Sequence, residues 1–196
     1  VIEFFWYGCG HCANLEPKLN TWLATRLPSD VTFRRIPASW RPIMDKHAQI
    51  YYTLEQMKIV GPMHSKIFDT LQKEQLALHD EDVLVKWVGS QGVNAATFKD
   101  TYNSFSVVSQ SKRGQQIMQS YNITGVPAFV INGKYQTSVG QAQSEDNLFK
   151  VIDELIVKER GSASPKAAPA PQTKPAAQAV KPVQKVKPAP AKTNKK

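Results

Sequence analysis

Apolar and polar positions alternate between two regimes along this chain. Val1-Ile2-Glu3-Phe4-Phe5-Trp6-Tyr7 is a continuous apolar run, rich in β-branched and aromatic side chains, that stops at Gly8. It predicts a strand buried on both faces, the kind a parallel sheet uses. Such a strand at the first residue predicts that a segment once preceded it. A helical spacing follows through Leu15, Leu19, Trp22 and Leu23, then a turn at Pro28-Ser29-Asp30 and a second strand over Val31–Ile36. Together these make a strand–helix–strand unit.

From about residue 42 to 121 the period is helical throughout. The apolar sets are Ile43, Ile50, Tyr51 and Leu54, with His47 in register; Met63, Ile67, Phe68 and Leu71; Val83, Leu84, Trp87 and Val88; and Phe98, Tyr102 and Phe105. Most of them are expected in the core, a few along a substrate groove. Gly61-Pro62, Asp80 and Asn94 mark helix starts. A strand then follows Val126-Pro127, with an Asn132-Gly133 hairpin turn and a second short strand. Ser144 caps a last helix that carries Leu148, Val151, Ile152, Leu155 and Ile156 on its apolar side.

Charge changes this picture only at the C-terminus. The 196 residues carry a formal charge of +9 from 25 basic and 16 acidic groups. Residues 161–196 hold eight of the lysines and no acid, so residues 1–160 carry only +1. The excess therefore belongs to an Ala/Pro/Lys-rich tail with seven prolines and no aromatic residue, which predicts a disordered segment. A nucleic-acid-binding fold is not indicated. Two readings stand for the tail: attraction to an anionic envelope surface, weakened by salt, and a solubilising extension without a partner. No run of 18 apolar residues occurs, which argues against a membrane-spanning helix.

Chemistry concentrates at one junction. The only two cysteines, in Cys9-Gly10-His11-Cys12, sit where the first strand passes into the first helix. A cysteine at a helix N-terminus lies beside unpaired backbone N–H groups and the positive end of the helix dipole, which favour a thiolate. Cys9 is then the exposed attacking thiol and Cys12, one turn inside, the buried partner that closes the disulfide. A protonated His11 adds positive charge. Two other readings compete: half of a metal site, for which a second pair of ligands is lacking because His47, His64 and His79 are scattered, and a static disulfide, whose short loop removes little chain entropy. Redox chemistry is preferred, with no metal and no cofactor.

Two segments resemble the DsbA family of thiol:disulfide interchange proteins. Glu3-Phe4-Phe5-Trp6-Tyr7-Gly8-Cys9-Gly10-His11-Cys12 is similar to the family's active-site segment, and Thr124-Gly125-Val126-Pro127-Ala128-Phe129-Val130-Ile131-Asn132-Gly133-Lys134-Tyr135 to its second signature. The resemblance covers most of residues 1–158, including Tyr102-Asn103-Ser104-Phe105. It implies an α/β, thioredoxin-like fold with a helical subdomain inserted over about 42–121, a domain of residues 1–160, and a separate tail of 161–196. It also implies that Pro127 is cis and faces the CxxC, and that the backbone at Val126 and Pro127 pairs with an extended substrate peptide.

Glu3 and Glu16 match acidic residues that help move the proton of the buried cysteine in that family. From the residues alone, Glu3 lies in an apolar strand where a charge needs a partner such as Arg35. The plainer alternative makes Glu3 a strand-edge glutamate and Glu16 a solvated helix residue. The function implied is a periplasmic oxidase that donates its Cys9–Cys12 disulfide to reduced, unfolded secreted proteins, is reoxidised by a membrane quinone-linked DsbB-type partner, and is a monomer. A reductase or isomerase on the same fold is one alternative; an envelope-binding or chaperone-like protein acting through its tail is another. Gly10 departs from the proline found in the best-studied members. The Gly-His dipeptide is that of protein disulfide isomerase, so the expected potential lies between about −180 mV for that enzyme and about −120 mV for DsbA.

Overall fold

A computed structural model describes residues 1–162. The expectations for the tail lie outside the described residues. A four-stranded sheet of order β2-β1-β3-β4 forms the centre, from β1 (Ile2–Phe5), β2 (Arg34–Pro37), β3 (Ala128–Ile131) and β4 (Tyr135–Ser138). β1 runs parallel to β2 and antiparallel to β3, and β3 is antiparallel to β4. Helix α1 (Gly10–Thr25) makes the crossover between β1 and β2. Five helices then intervene before β3: α2 (Pro42–Gln56), α3 (Val60–Asp69), α4 (Glu81–Ser90), α5 (Ala95–Tyr102) and α6 (Phe105–Ser120). After β4 come the single turn α7 (Val139–Ala142) and the long α8 (Glu145–Ser162). This is the thioredoxin-like α/β fold with a helical insertion.

The two-residue period of the strands sorts the core into layers. Phe129 and Ile131 point to the face covered by α1 and α8, where Leu15, Leu19, Trp22, Leu148 and Ile152 are buried with them. Phe4, Ala128 and Val130 point the other way, to Ile36, Met44 and Met118. A third cluster fills the helical insertion and reaches Phe5, Tyr7 and Cys12. The active-site segment is thus the seam between the sheet and the inserted helices.

Four local expectations change. The second strand is Arg34–Pro37 and not Val31–Ile36, because the ladder begins where the Arg34 amide donates to the Val1 carbonyl. Val31 is drawn into the preceding turn, its amide bonded to Pro28, and packs with Phe33 against the α1/α8 layer. The helix expected from Gly61-Pro62 begins one residue earlier, at Val60. Phe98, Tyr102 and Phe105 do not share one helix: Ser104 caps α6, its hydroxyl accepting from the Val107 amide, and the reset leaves Phe105 88% exposed on the first turn. Asn132 and Gly133 both take positive φ, 49° and 72°, and the Lys134 amide closes the turn on the Ile131 carbonyl, but Ile131 pairs with Tyr135, so three residues and not two join the strands.

Candidate active site

Cys9 is the N-cap residue of α1, with extended backbone (φ −94°, ψ 113°) and half-buried, while Cys12 is 1% exposed. The turn that delivers them is tight. The Cys9 amide donates to the Trp6 carbonyl at 2.9 Å, and the Trp6 indole lies so close over Gly8 that a Cβ there would stand 2.3 Å from the ring. Gly8 is therefore required by contact. Gly10 is not: a Cβ there would meet Gln72 Oε1 at an ordinary 3.6 Å.

The other half of the chain returns to the same point. The Val126–Pro127 peptide bond is cis, and the Cys9 thiol donates to the Val126 carbonyl at 3.5 Å across 117 residues of sequence. Beside this contact opens a groove of about 540 Å³ whose wall includes His11, Val126, Pro127, Gln136, Ser138 and Glu145. His11 is exposed at its mouth. The two cysteines differ sharply in acidity. Cys9 is lowered to about 6, chiefly by the hydrogen bond from Cys12; burial opposes this, and the Cys12 and His11 amides and the His11 charge assist. Burial pushes the Cys12 thiol far up, with the Cys9 sulfur beside it adding to the effect.

Beneath Cys12 lies a charged cluster inside the core. Glu3 stands opposite Arg35 in the parallel ladder, and Arg35 Nε donates to Glu3 Oε2 at 3.0 Å. The same guanidinium reaches Glu16 Oε1 at 3.1 Å. One cation thus serves two carboxylates, 1% and 4% exposed. Burial pushes Glu3 up to about 8 against the pull of Arg35, which favours its protonated form. Glu16 stays below its ordinary value: burial opposes this, but the hydrogen bond to His64 and the nearby charges outweigh it. The plainer reading of both glutamates fails on position. β1 is a central strand, not an edge, and Glu16 faces inward.

His64 was not singled out by its sequence, where it lies within an apolar helical stretch beside Met63 and Ile67. In the fold it bridges Tyr7 and Glu16. Gln72, on the π-helical turn Thr70–Glu74 that extends α3, holds the active-site loop by donating to the Tyr7 carbonyl at 3.0 Å. His47 and His79 lie apart from the cysteines: His47 Nδ1 accepts from the Trp6 indole at 3.0 Å, and burial lowers it to about 4. Among the described residues no group of three or more His, Cys, Asp or Glu side chains is placed to hold a metal ion, and no helix is long and apolar enough to cross a membrane.

Comparison with known proteins decides the kinship. The family described as "DSBA-like thioredoxin domain" matches residues 1–153. The chain belongs to this family. Its DsbA relatives include the thiol:disulfide interchange protein of Pseudomonas syringae pv. tomato, 40% identical over 83% of this chain and 76% of that protein, and that of Pseudomonas aeruginosa, 37% identical over 83% and 77%. The crystal structure of Pseudomonas aeruginosa DsbA superposes with a TM-score of 0.79 at 37% identity, covering 82% of this chain and 83% of the other. The oxidoreductase NmDsbA1 of Neisseria meningitidis gives 0.72 at 26% identity, over 83% and 84%. Membership of the DsbA family makes this chain a thiol:disulfide oxidoreductase, acting on substrate proteins by thiol–disulfide exchange.

Proposed function

We propose that this DsbA-family chain is a periplasmic dithiol oxidase that donates a Cys9–Cys12 disulfide to reduced, unfolded proteins. The observation that carries this direction is the asymmetry of the pair: a half-buried Cys9 lowered to about 6 at a helix N-terminus, against a buried Cys12 held as a thiol. A low-pKa Cys9 stabilises the reduced enzyme and is a good leaving group, and both features drive the disulfide toward the substrate.

The steps balance as follows. A substrate thiolate attacks Cys9 Sγ, the Cys9–Cys12 bond breaks, and Cys12 leaves as a thiolate that takes up one proton. A second substrate thiolate attacks the substrate sulfur of the mixed disulfide and releases Cys9 as thiolate. Two electrons pass from the substrate dithiol to the enzyme. Glu3 and Glu16 are the groups that deliver and restore the Cys12 proton. His11 contributes positive charge to Cys9, and Gly10 begins the helical turn that separates the two cysteines. The backbone at Val126 and Pro127 lines the groove next to Cys9 and pairs with an extended substrate segment. The enzyme is returned to its disulfide by a membrane quinone-linked oxidoreductase of the DsbB type, and its potential lies between about −180 and −120 mV. It works as a monomer without metal or cofactor; residues 1–160 form the catalytic domain, with the tail as an appendage.

Cys12→Ser tests the order of attack. With this variant, an unfolded substrate whose thiols are capped as mixed disulfides with a small thiol should accumulate a covalent adduct through Cys9 alone, with release of the small thiol, read by mass spectrometry. An adduct through no residue, or equally rapid adduct formation by Cys9→Ser, would contradict the assignment.

A further inference from the structure

The buried charges beneath Cys12 present a question of proton location. Two buried carboxylates share one guanidinium, whose single charge balances only one of them, so a proton is favoured on the other. Something must break the symmetry between Glu3 and Glu16.

Two further donors to Glu16 do so: the exposed Asn20 amide, Nδ2 to Oε2 at 3.0 Å, and the buried His64. His64 is 4% exposed, enclosed by the rings of Phe5, Tyr7 and Phe68 at centroid distances of 5.0 to 5.2 Å in neighbouring pairs, and both its ring nitrogens are engaged. Nδ1 is 2.7 Å from the Tyr7 hydroxyl and Nε2 is 3.1 Å from Glu16 Oε1. The titratable and charged groups facing it are Tyr7 from the segment after β1, Glu16 from α1, Arg35 from β2, Tyr51 from α2, and Glu3 at the far side of Arg35.

Chemistry fixes the sense of these bonds. The Tyr7 hydroxyl is fully buried and far from ionising, so it carries a proton, for which His64 Nδ1 is its acceptor. A neutral imidazole that accepts at Nδ1 must carry its own hydrogen on Nε2, and Nε2 then donates to Glu16. Burial keeps the ring neutral. We propose that His64 is a positioning residue that, oriented by Tyr7, holds Glu16 as the ionised partner of Arg35 and so favours a proton on Glu3. The proposal rests on the disulfide-exchange reading above and deepens it. When Cys12 leaves as a thiolate, the Glu3 carboxyl proton passes to its sulfur; Glu3 becomes a carboxylate and the net charge of the cluster is unchanged by the transfer. Arg35 then balances two carboxylates until a proton returns from solvent.

Residue-specific carboxyl NMR of the full chain in its dithiol form tests this without reference to turnover. In the wild type the Glu3 carboxyl should titrate near pH 8 while Glu16 stays ionised from pH 5 to 9, and the ¹⁵N shifts of His64 should report the Nε2–H tautomer. An Nδ1–H tautomer, or a Glu16 that titrates in the neutral range, overturns the proposal and needs no variant. His64→Phe keeps a ring among Phe5, Tyr7 and Phe68 but removes the donor: Glu16 should rise by about one to two pH units, the loss expected for one hydrogen bond to a charged group. His64→Gln loses the ring but places an amide N–H at the reach of Nε2, and should bring the Glu16 titration back down toward its wild-type position. A purely structural role for His64 predicts the reverse order, with Phe tolerated and Gln disruptive. Oxidase activity judged with Cys9→Ser is independent of these readouts, so the two claims fail separately.

Discussion

Cys9 and Glu3 show how one local environment tunes two groups in opposite senses. Cys9 falls to about 6 from an ordinary 9.0, so in the reduced protein its stabilising contribution is present above pH 9 and is lost as pH falls through 6. Titration of reduced protein by thiolate absorbance should show a midpoint near pH 6, moved upward by His11→Ser; a midpoint near 9 would remove the basis for an oxidising couple. Glu3 runs the other way. Its carboxyl rises from 4.5 to about 8, so its contribution is complete below pH 4.5 and is lost as pH rises through 8. Glu3→Gln should therefore gain stability relative to wild type between pH 5 and 8 and level off above, as followed by denaturant unfolding. A difference independent of pH would mean that Glu3 is ionised throughout. The cysteines were legible because two cysteines three apart at a strand–helix junction carry their own chemistry. Glu3 was legible as an anomaly, a charge in an apolar strand with Arg35 as partner, and through its match to an acidic position of the DsbA family. His64 was not legible, since a histidine on an apolar helix face looks the same whether it fills space or orients a carboxylate.

At the scale of elements, pairing and capping decided what hydrophobic spacing left open. The helix starts at Asp80 and Asn94 follow from side chains that accept the first-turn amides, Asp80 from Asp82 and Val83 and Asn94 from Thr97. The break between Tyr102 and Phe105 has the same cause, in Ser104, yet the apolar spacing runs straight across it. The start of β2 depended on where a neighbouring strand offers a carbonyl, which no local pattern contains. A close approach between helices was equally invisible. Gly114 on α6 lies against Tyr52 of α2, and a Cβ there would stand 2.3 Å from the tyrosine oxygen and 3.2 Å from its ring carbon. Alanine is the better helix former by about 1 kcal/mol, but overpacking against a buried ring costs about 1–3 kcal/mol. Gly114→Ala should therefore lower the unfolding midpoint with the refolding activity of the surviving native protein unchanged; a rise in midpoint would show that α2 and α6 separate easily.

Across the whole molecule, the site exists because two distant segments meet. Cys9 and Val126 touch only when the parallel β1–α1–β2 half and the antiparallel β3–β4 half form one sheet, with the helices α2 to α6 filling the chain between them. The order of these parts was readable from the changes of hydrophobic period, because each change marks a different kind of burial. The layer assignment was not, since it depends on which face of β1 meets α1. Charge followed the same division: the +9 of the chain comes almost wholly from residues 161–196, leaving a nearly neutral sequence for the part that handles thiols. The central claim is that this part gives its disulfide away through Cys9. The most direct measurement is the rate at which a reduced, multi-cysteine protein regains native disulfides with the oxidised wild type and with Cys9→Ser. The wild type should accelerate refolding and be reduced in proportion, with Cys9→Ser no faster than the uncatalysed control; equal rates for the two proteins would contradict the account.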